Sequence, residues 1–242
     1  MGVTSGGCSG LSYNLDFDSK ILSTDKVFEH NVAQGAVIIR NGYVVGERYT
    51  SDKDAQSPAT SWSVAKSFYA SALGAAIEDG LVGSYDDPVV TYIPEWDGTD
   101  KAPMTIRNLL EMRSGLYNSE DLFAQDLNEY GINLELTGTI DTAFDYNNFN
   151  SQLFGEILQR VSEQTATEYL TSRLLEPIGF QESRYWQDAS NNSLVFAGID
   201  AETREFARFG YLIASEGNWD GQALLTPETI TEMTSSGSDS FY

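Results

Sequence analysis

Histidine and cysteine are nearly missing from this chain, whose 242 residues hold one of each, His30 and Cys8. A single cysteine excludes an internal disulfide. A single histidine argues against a zinc centre, which draws on His and Cys in number. It also means that any imidazole base would have to be His30 itself. That residue, in Phe28-Glu29-His30-Asn31, reads as a surface or helix-end position. Positive charge is scarce as well: 14 Lys plus Arg face 36 Asp plus Glu, a formal net charge of -22. Such a surface repels nucleic acid and anionic membranes. The acids are scattered and form no long run, so they read as a solvated coat rather than a cation site. No apolar run approaches the ~18 residues of a membrane span. Met1 to Gly10 lacks the basic and apolar regions of a signal peptide, and Cys8 in Gly-Gly-Cys-Ser-Gly has only a faint likeness to a lipoprotein cleavage site. As written, the chain is expected in the cytoplasm, with export open if the true start lies upstream. No metal and no cofactor are expected.

What is present suffices for a core. Hydrophobic residues make up 41% of the chain and aromatics 12%, too much for a disordered segment and enough for one domain over 1–242 with a flexible stretch at 1–20. Gln34 to Thr50 reads as a β-hairpin: Ala36-Val37-Ile38-Ile39, an Asn41-Gly42 turn, then Tyr43-Val44-Val45. Ser23 to Val32 reads as a short helix beside it. Ser63 to Asp79 is a helix that is apolar nearly all round, closed by Gly80, and therefore buried. Further helices are expected over Thr105–Met112 with Thr105 as N-cap, Phe149–Val161, Thr165–Leu175, Ala201–Ala214 and Pro227–Met233. Asp86–Trp96 reads as loop and Tyr117–Ile140 as a long excursion near a site. Residues 51–200 thus form a mainly helical lobe. A hairpin alone is rarely stable. It asks for further strands, and none is legible before Phe241-Tyr242.

One buried helix carries chemistry. Ser63-Val64-Ala65-Lys66 sets a hydroxyl and an amine one turn apart on the same face. At a helix start the serine oxygen meets the positive end of the dipole, and free N–H groups there can hold an oxyanion. Burial disfavours the charged amine, and a neutral lysine can take the serine proton. No histidine is needed. The same spacing occurs in Ser23-Thr24-Asp25-Lys26, but there the surroundings are polar and Asp25 would keep the lysine charged. Tyr146-Asn147-Asn148 stands where a loop meets the next amphipathic helix. A phenol beside a lysine can relay protons, and an asparagine can orient lysine and substrate. Helix capping explains the asparagines equally well. Ser190-Asn191-Asn192 has the same pattern in a polar loop.

Ser-x-x-Lys followed about eighty residues later by Tyr-x-Asn resembles the order in class C β-lactamases and related esterases and amidases. Trp62-Ser63-Val64-Ala65-Lys66-Ser67 is similar to the nucleophile segment of the 6-aminohexanoate-dimer hydrolase branch. Thr105 to Leu110 with Ser114-Gly115-Leu116, then Glu168 to Phe180, Ala197-Gly198-Ile199, Arg204, Ala207 to Gly210 and Trp219-Asp220-Gly221 extend the likeness from about Ala36 to Glu232.

The resemblance implies an α+β, β-lactamase/transpeptidase-like fold: an antiparallel sheet flanked by helices plus a helical lobe. It implies a serine hydrolase acting on a small ester, amide or β-lactam. Ser63 would be acylated and Lys66 would act as base. Tyr146 would carry the proton to the leaving group, and Asn148 would steady Lys66 and contact substrate. The family's third motif, Lys-Thr-Gly or a His-x-Gly or Gly-x-Gly counterpart, lies on a later strand and supplies the second oxyanion donor. It is not legible in these 242 residues, so the C-terminal strands are expected to be missing. The alternative expectation is a truncated or non-catalytic ligand-binding or sensor module of the same fold. Tyr117, Phe123, Tyr130 and Phe144 are candidates for pocket lining or for core. Oligomeric state is not legible.

Overall fold

The computed structural model describes residues 35–181 and 183–235, together with the backbone of Gly2–Ser5 (β1) and Leu11–Asn14 (β2), which pair antiparallel. Cys8, Ser23 to Lys26, His30, the helix expected over Ser23 to Val32, and Phe241-Tyr242 lie outside the described residues.

Gly35–Arg40 (β3) and Tyr43–Tyr49 (β4) form the expected hairpin. Asn41 and Gly42 both take positive φ, 51° and 81°, the pair of left-handed residues that a tight two-residue turn of this hand requires. A bulge between Ile38 and Ile39 shifts the register, so the strict alternation of β3 is lost on β4. Pro58–Thr60 (β5), Arg184–Tyr185 (β6) and Ile199–Glu202 (β7) make a second antiparallel sheet in the order β5-β7-β6. Two-residue strands at Asn218–Trp219 (β8) and Gln222–Ala223 (β9) close the set among the described residues.

Helix α1 (Ala65–Glu78) runs through the centre. Its alanines and Gly74 let neighbours approach closely, while Phe68, Tyr69 and Leu73 are fully buried. Each large side chain buried there is worth about 2 kcal/mol of apolar transfer. The helix ends where expected, with Gly80 at φ 73°. α2 (Ile106–Leu110) begins with a reciprocal capping box between Thr105 and Asn108. α3 (Leu127–Asn133) lies within the stretch read as an excursion. It packs on α4 (Asn148–Ser162), which in turn crosses α1. α5 (Ala166–Leu170) passes into a π-turn over Thr171–Leu175. α6 (Thr203–Ala214) lies against β3, and α7 (Pro227–Thr234) against α1.

The helices between β5 and β6 and the strands around them share one continuous core. This is an α+β arrangement, as expected. Phe68 stacks on Phe209 of α6 with ring centroids 3.7 Å apart. The result for the site is that the start of α1, the start of α4 and the loop before β7 converge.

Candidate active site

Ser61 fixes the start of the site. Its N–H donates to Ile199 O at 2.7 Å and its Oγ accepts from Ile199 N–H at 3.1 Å. This ties the end of β5 to β7. The chain then turns sharply: Trp62 has φ 45°, a left-handed conformation that costs a bulky residue about 1–3 kcal/mol. A 3-10 turn over Trp62–Val64 carries Ser63 and leads directly into α1. The helix starts two residues later than the spacing predicts, but Ser63 still stands at the N-terminal mouth of the helical run.

Lys66 lies in the first turn of α1. It is 7% exposed. Its Nζ donates to Ser63 Oγ at 3.1 Å and to the backbone carbonyl of Phe196 at 2.9 Å. Burial lowers its pKa, and a hydrogen bond and the charge of Tyr146 partly oppose that. The Tyr146 ring lies 4.9 Å below the amine, and the Tyr146 hydroxyl donates to Ser63 Oγ at 2.8 Å. An amine one helical turn away and a phenol 83 residues further along therefore meet at one oxygen.

The placement of Tyr146 is held by asparagines on either side. Asn147 caps α4: its Oδ1 accepts from Phe149 N–H at 2.9 Å, and its Nδ2 donates to the carbonyls of Leu116 and Tyr117, both at 3.3 Å. Asn118 donates from Nδ2 to Asp145 Oδ1 and to Tyr146 O, both at 2.9 Å. Gly115 sits just before this contact loop at φ 71°, and an added Cβ would come within 2.9 Å of the Gly138 backbone. No side chain fits there. Asn148 occupies the first residue of α4, half-buried. Lys66 Nζ donates to Ser63 and to the Phe196 carbonyl and also interacts with Tyr146, so a backbone carbonyl steadies the amine where Asn148 was expected to.

The rival Ser190-Asn191-Asn192 is elsewhere occupied. Asn192 Nδ2 donates to Asp126 and Asp188, and its N–H to Asp188, which makes it the lock of a loop. The four candidate aromatics divide. Tyr130 packs on Phe149 at 5.1 Å, Phe144 is half-buried, and Tyr117 and Phe123 are exposed, Phe123 to 96%. Trp62, one residue before Ser63, is 65% exposed and meets Trp186 edge-on at 5.9 Å. Sequence reasoning did not single out Asn118 or Phe196, and took in Trp62 only as the first residue of the nucleophile segment. For Phe196 no residue-type signal exists, because any residue supplies a carbonyl. Among the described residues no group of acids, histidine or cysteine is placed to hold a metal ion, and no helix is long and apolar enough to cross a membrane.

Known proteins share this fold. The sequence pattern of the Beta-lactamase family matches residues 24–235. Protein flp of Staphylococcus aureus (strain N315) is 27% identical over 190 residues, which cover 67% of this chain and 38% of that protein. The chain thus spans well under half the length of this relative. Among solved structures, a 6-aminohexanoate-dimer hydrolase homologue from Bacillus anthracis superposes with a TM-score of 0.73 at 21% identity, covering 82% of this chain and 58% of that one. A D-stereospecific amidohydrolase from Streptomyces sp. superposes with a TM-score of 0.65 at 16% identity, covering 81% and 70%. With the family pattern spanning most of its length, the chain belongs to the Beta-lactamase family of serine hydrolases.

Proposed function

We propose that this protein is a serine hydrolase that forms an acyl-enzyme on Ser63, with Lys66 as base and Tyr146 as proton carrier, acting on an ester, a small amide or a β-lactam. The observation that carries the reading is the meeting of Lys66 Nζ and Tyr146 Oη on Ser63 Oγ, at 3.1 and 2.8 Å, with the amine buried.

The chemistry follows from that meeting. A neutral Lys66 accepts the Ser63 proton along the 3.1 Å contact as Oγ attacks the substrate carbonyl. The carbonyl oxygen becomes an oxyanion beside the N-terminal end of α1, where backbone dipoles favour negative charge. Tyr146 then gives its phenolic proton to the departing alkoxide or amine and is reprotonated by the Lys66 ammonium, which restores a neutral base. In the second half a water replaces the leaving group. It loses a proton to the same relay, the acyl–Oγ bond breaks, and Ser63 recovers its hydrogen. Asn148, half-buried two residues after Tyr146, is assigned to substrate contact.

The substrate class rests on less. The likeness to an amidohydrolase and to a dimer-amide hydrolase homologue puts amides beside esters in the range to be tested. A fluorophosphonate probe on the full-length protein is expected to label Ser63, seen by peptide mass spectrometry, and to leave Ser63→Ala unlabelled. Nitrophenyl esters, nitrocefin and amino-acid amides then sort the substrates. An unlabelled Ser63 in the folded protein would end the enzyme reading and favour a ligand-binding module.

A further inference from the structure

A buried polar chain runs behind the site. Arg160 of α4 is gripped by Glu95 through two 2.8 Å contacts and donates from Nε to Glu156 Oε1 at 2.5 Å. Glu156 Oε2 accepts from Asn128 Nδ2 at 2.6 Å, and Asn128 Oδ1 accepts from Gln152 Nε2 at 2.7 Å. Gln152 also donates to Ser193 O at 2.8 Å and accepts from Val195 N–H at 3.2 Å. Its side chain is fully buried, and Asn128, Glu156, Ser193 and Val195 are buried with it.

The polarity of this chain is fixed. Val195 N–H can only donate and Ser193 C=O can only accept, so the Gln152 amide has one orientation. Asn128 must then point its carbonyl at Gln152 and its amide at Glu156, where a carboxylate accepts it. Both amide hydrogens of Gln152 donate and its carbonyl oxygen accepts. Ser193 is clamped a second time, because its Oγ accepts from Thr167 N–H at 3.1 Å and from Thr167 Oγ1 at 2.8 Å. The residue after Val195 is Phe196, whose carbonyl takes the 2.9 Å hydrogen bond of Lys66.

We infer that Gln152 is a positioning residue for Lys66: by holding the backbone of 193–195 it aims the Phe196 carbonyl at the amine, and so turns the remaining Nζ valence toward Ser63. A sheet or helix would hold such a carbonyl by its own ladder. Here the segment 193–196 lies between strands: an isolated bridge from Ser193 to Gln187 and the Leu194 N–H to Trp186 O bond hold its start, and the Gln152 side chain holds Ser193 O and Val195 N–H, next to Phe196. The inference rests on the reading of Lys66 as base only for its effect on rate. Its effect on Lys66 itself is independent of activity. A carbonyl dipole pointing at an amine favours the charged form. Tyr146 is the titratable group facing that amine, while Glu156 and Arg160 stand at the far end of the chain of contacts. When Gln152 is removed the Phe196 carbonyl relaxes away, and the Lys66 ammonium loses that support.

The test is a direct titration of Lys66 by 13Cε NMR in the full-length protein, with Lys66→Arg used to assign the signal and Lys101 as internal control. Gln152→Met keeps the volume and removes the amide. Gln152→Asn keeps a neutral amide but is one methylene too short to reach both backbone groups, and serves if Gln152→Met does not fold. In either variant the Lys66 midpoint is expected to move to lower pH while Lys101 stays fixed. Fluorophosphonate labelling of Ser63 is expected to slow about tenfold or more, as misplacement of a reacting group by a fraction of an ångström does. A Lys66 midpoint that stays, or moves upward, in a folded variant overturns the inference. A midpoint that moves downward in a protein whose Ser63 is never labelled supports the inference and removes the hydrolase reading instead.

Discussion

Lys66 bears the conflict between folding and chemistry. Burial lowers its pKa, so the native state binds its proton less tightly than the unfolded chain, where the value is about 10.4. Between the lowered value and about 10.4 the unfolded state carries the extra proton, and stability rises with pH across that window. Below the lowered value both states are protonated and the contribution is flat. The difference in unfolding free energy between the wild type and Lys66→Met is therefore expected to grow in favour of the wild type as pH is raised through the window, measured by urea melts at several pH values. A difference that is constant over the whole range would mean that the lysine titrates normally. The same sign governs rate: the acid limb of kcat/KM is expected to fall below the ordinary lysine value, because the free enzyme needs the neutral amine. Tyr146→Phe removes the proton donor at 2.8 Å and retains the ring under the ammonium. It is expected to cut kcat by about a hundredfold or more with little change in melting temperature, read by ester hydrolysis beside a thermal scan.

The elements that deliver these residues differ in how openly the sequence announces them. Asn147 shows the legible kind, a polar residue before an amphipathic run. The structure makes it the cap of α4 and also the tie to the Leu116 and Tyr117 carbonyls. Asn147→Ala is expected to cost about 1–2 kcal/mol for the cap and to lower activity as well, because Tyr146 is the next residue back; urea melts and the ester assay read the two. The hairpin was legible because Asn41-Gly42 admits few other backbones. α1 and α4 were legible because their periodicity is local. β7 was not: the helix expected over Ala201–Ala214 begins only at Thr203, and Ala201 and Glu202 belong to β7, whose strand character comes from pairing with Pro58–Thr60, some 140 residues earlier. The candidate site divides in the same way. Ser63, Lys66 and Tyr146 were findable from residue type and spacing. Phe196 contributes a backbone oxygen, and Gln152 acts through backbone groups of a distant loop, so neither leaves a mark in a single sequence. Asn148 was assigned its role of steadying Lys66 and contacting substrate through resemblance, and the structure adds the Phe196 carbonyl as a further partner of the amine.

At the scale of the whole molecule the dominant fact is a net charge of -22. Ser63 is exposed at the head of α1 while the lysine behind it is buried. A substrate must therefore approach through the field of the surface. Among the described residues several arginines are already neutralised in carboxylate pairs: Arg160 with Glu95 and Glu156, Arg173 with Asp79, Arg204 with Glu47, and Arg107 with Asp86. The unbalanced charge that reaches into solvent is accordingly acidic. Such a field raises the local concentration of cations and depletes anions, and salt screens it: the Debye length falls from about 30 Å at 0.01 M to about 3 Å at 1 M. Three nitrophenyl esters of matched size, one cationic, one neutral and one anionic, isolate the effect. As salt rises over that range, kcat/KM is expected to fall severalfold for the cationic ester, to rise for the anionic one and to hold for the neutral one, with kcat unchanged in all three because the field acts on encounter rather than on the proton relay. Parallel slopes for the three esters would mean that the charge near the mouth of the site is locally balanced, and that the acidic coat serves solubility alone.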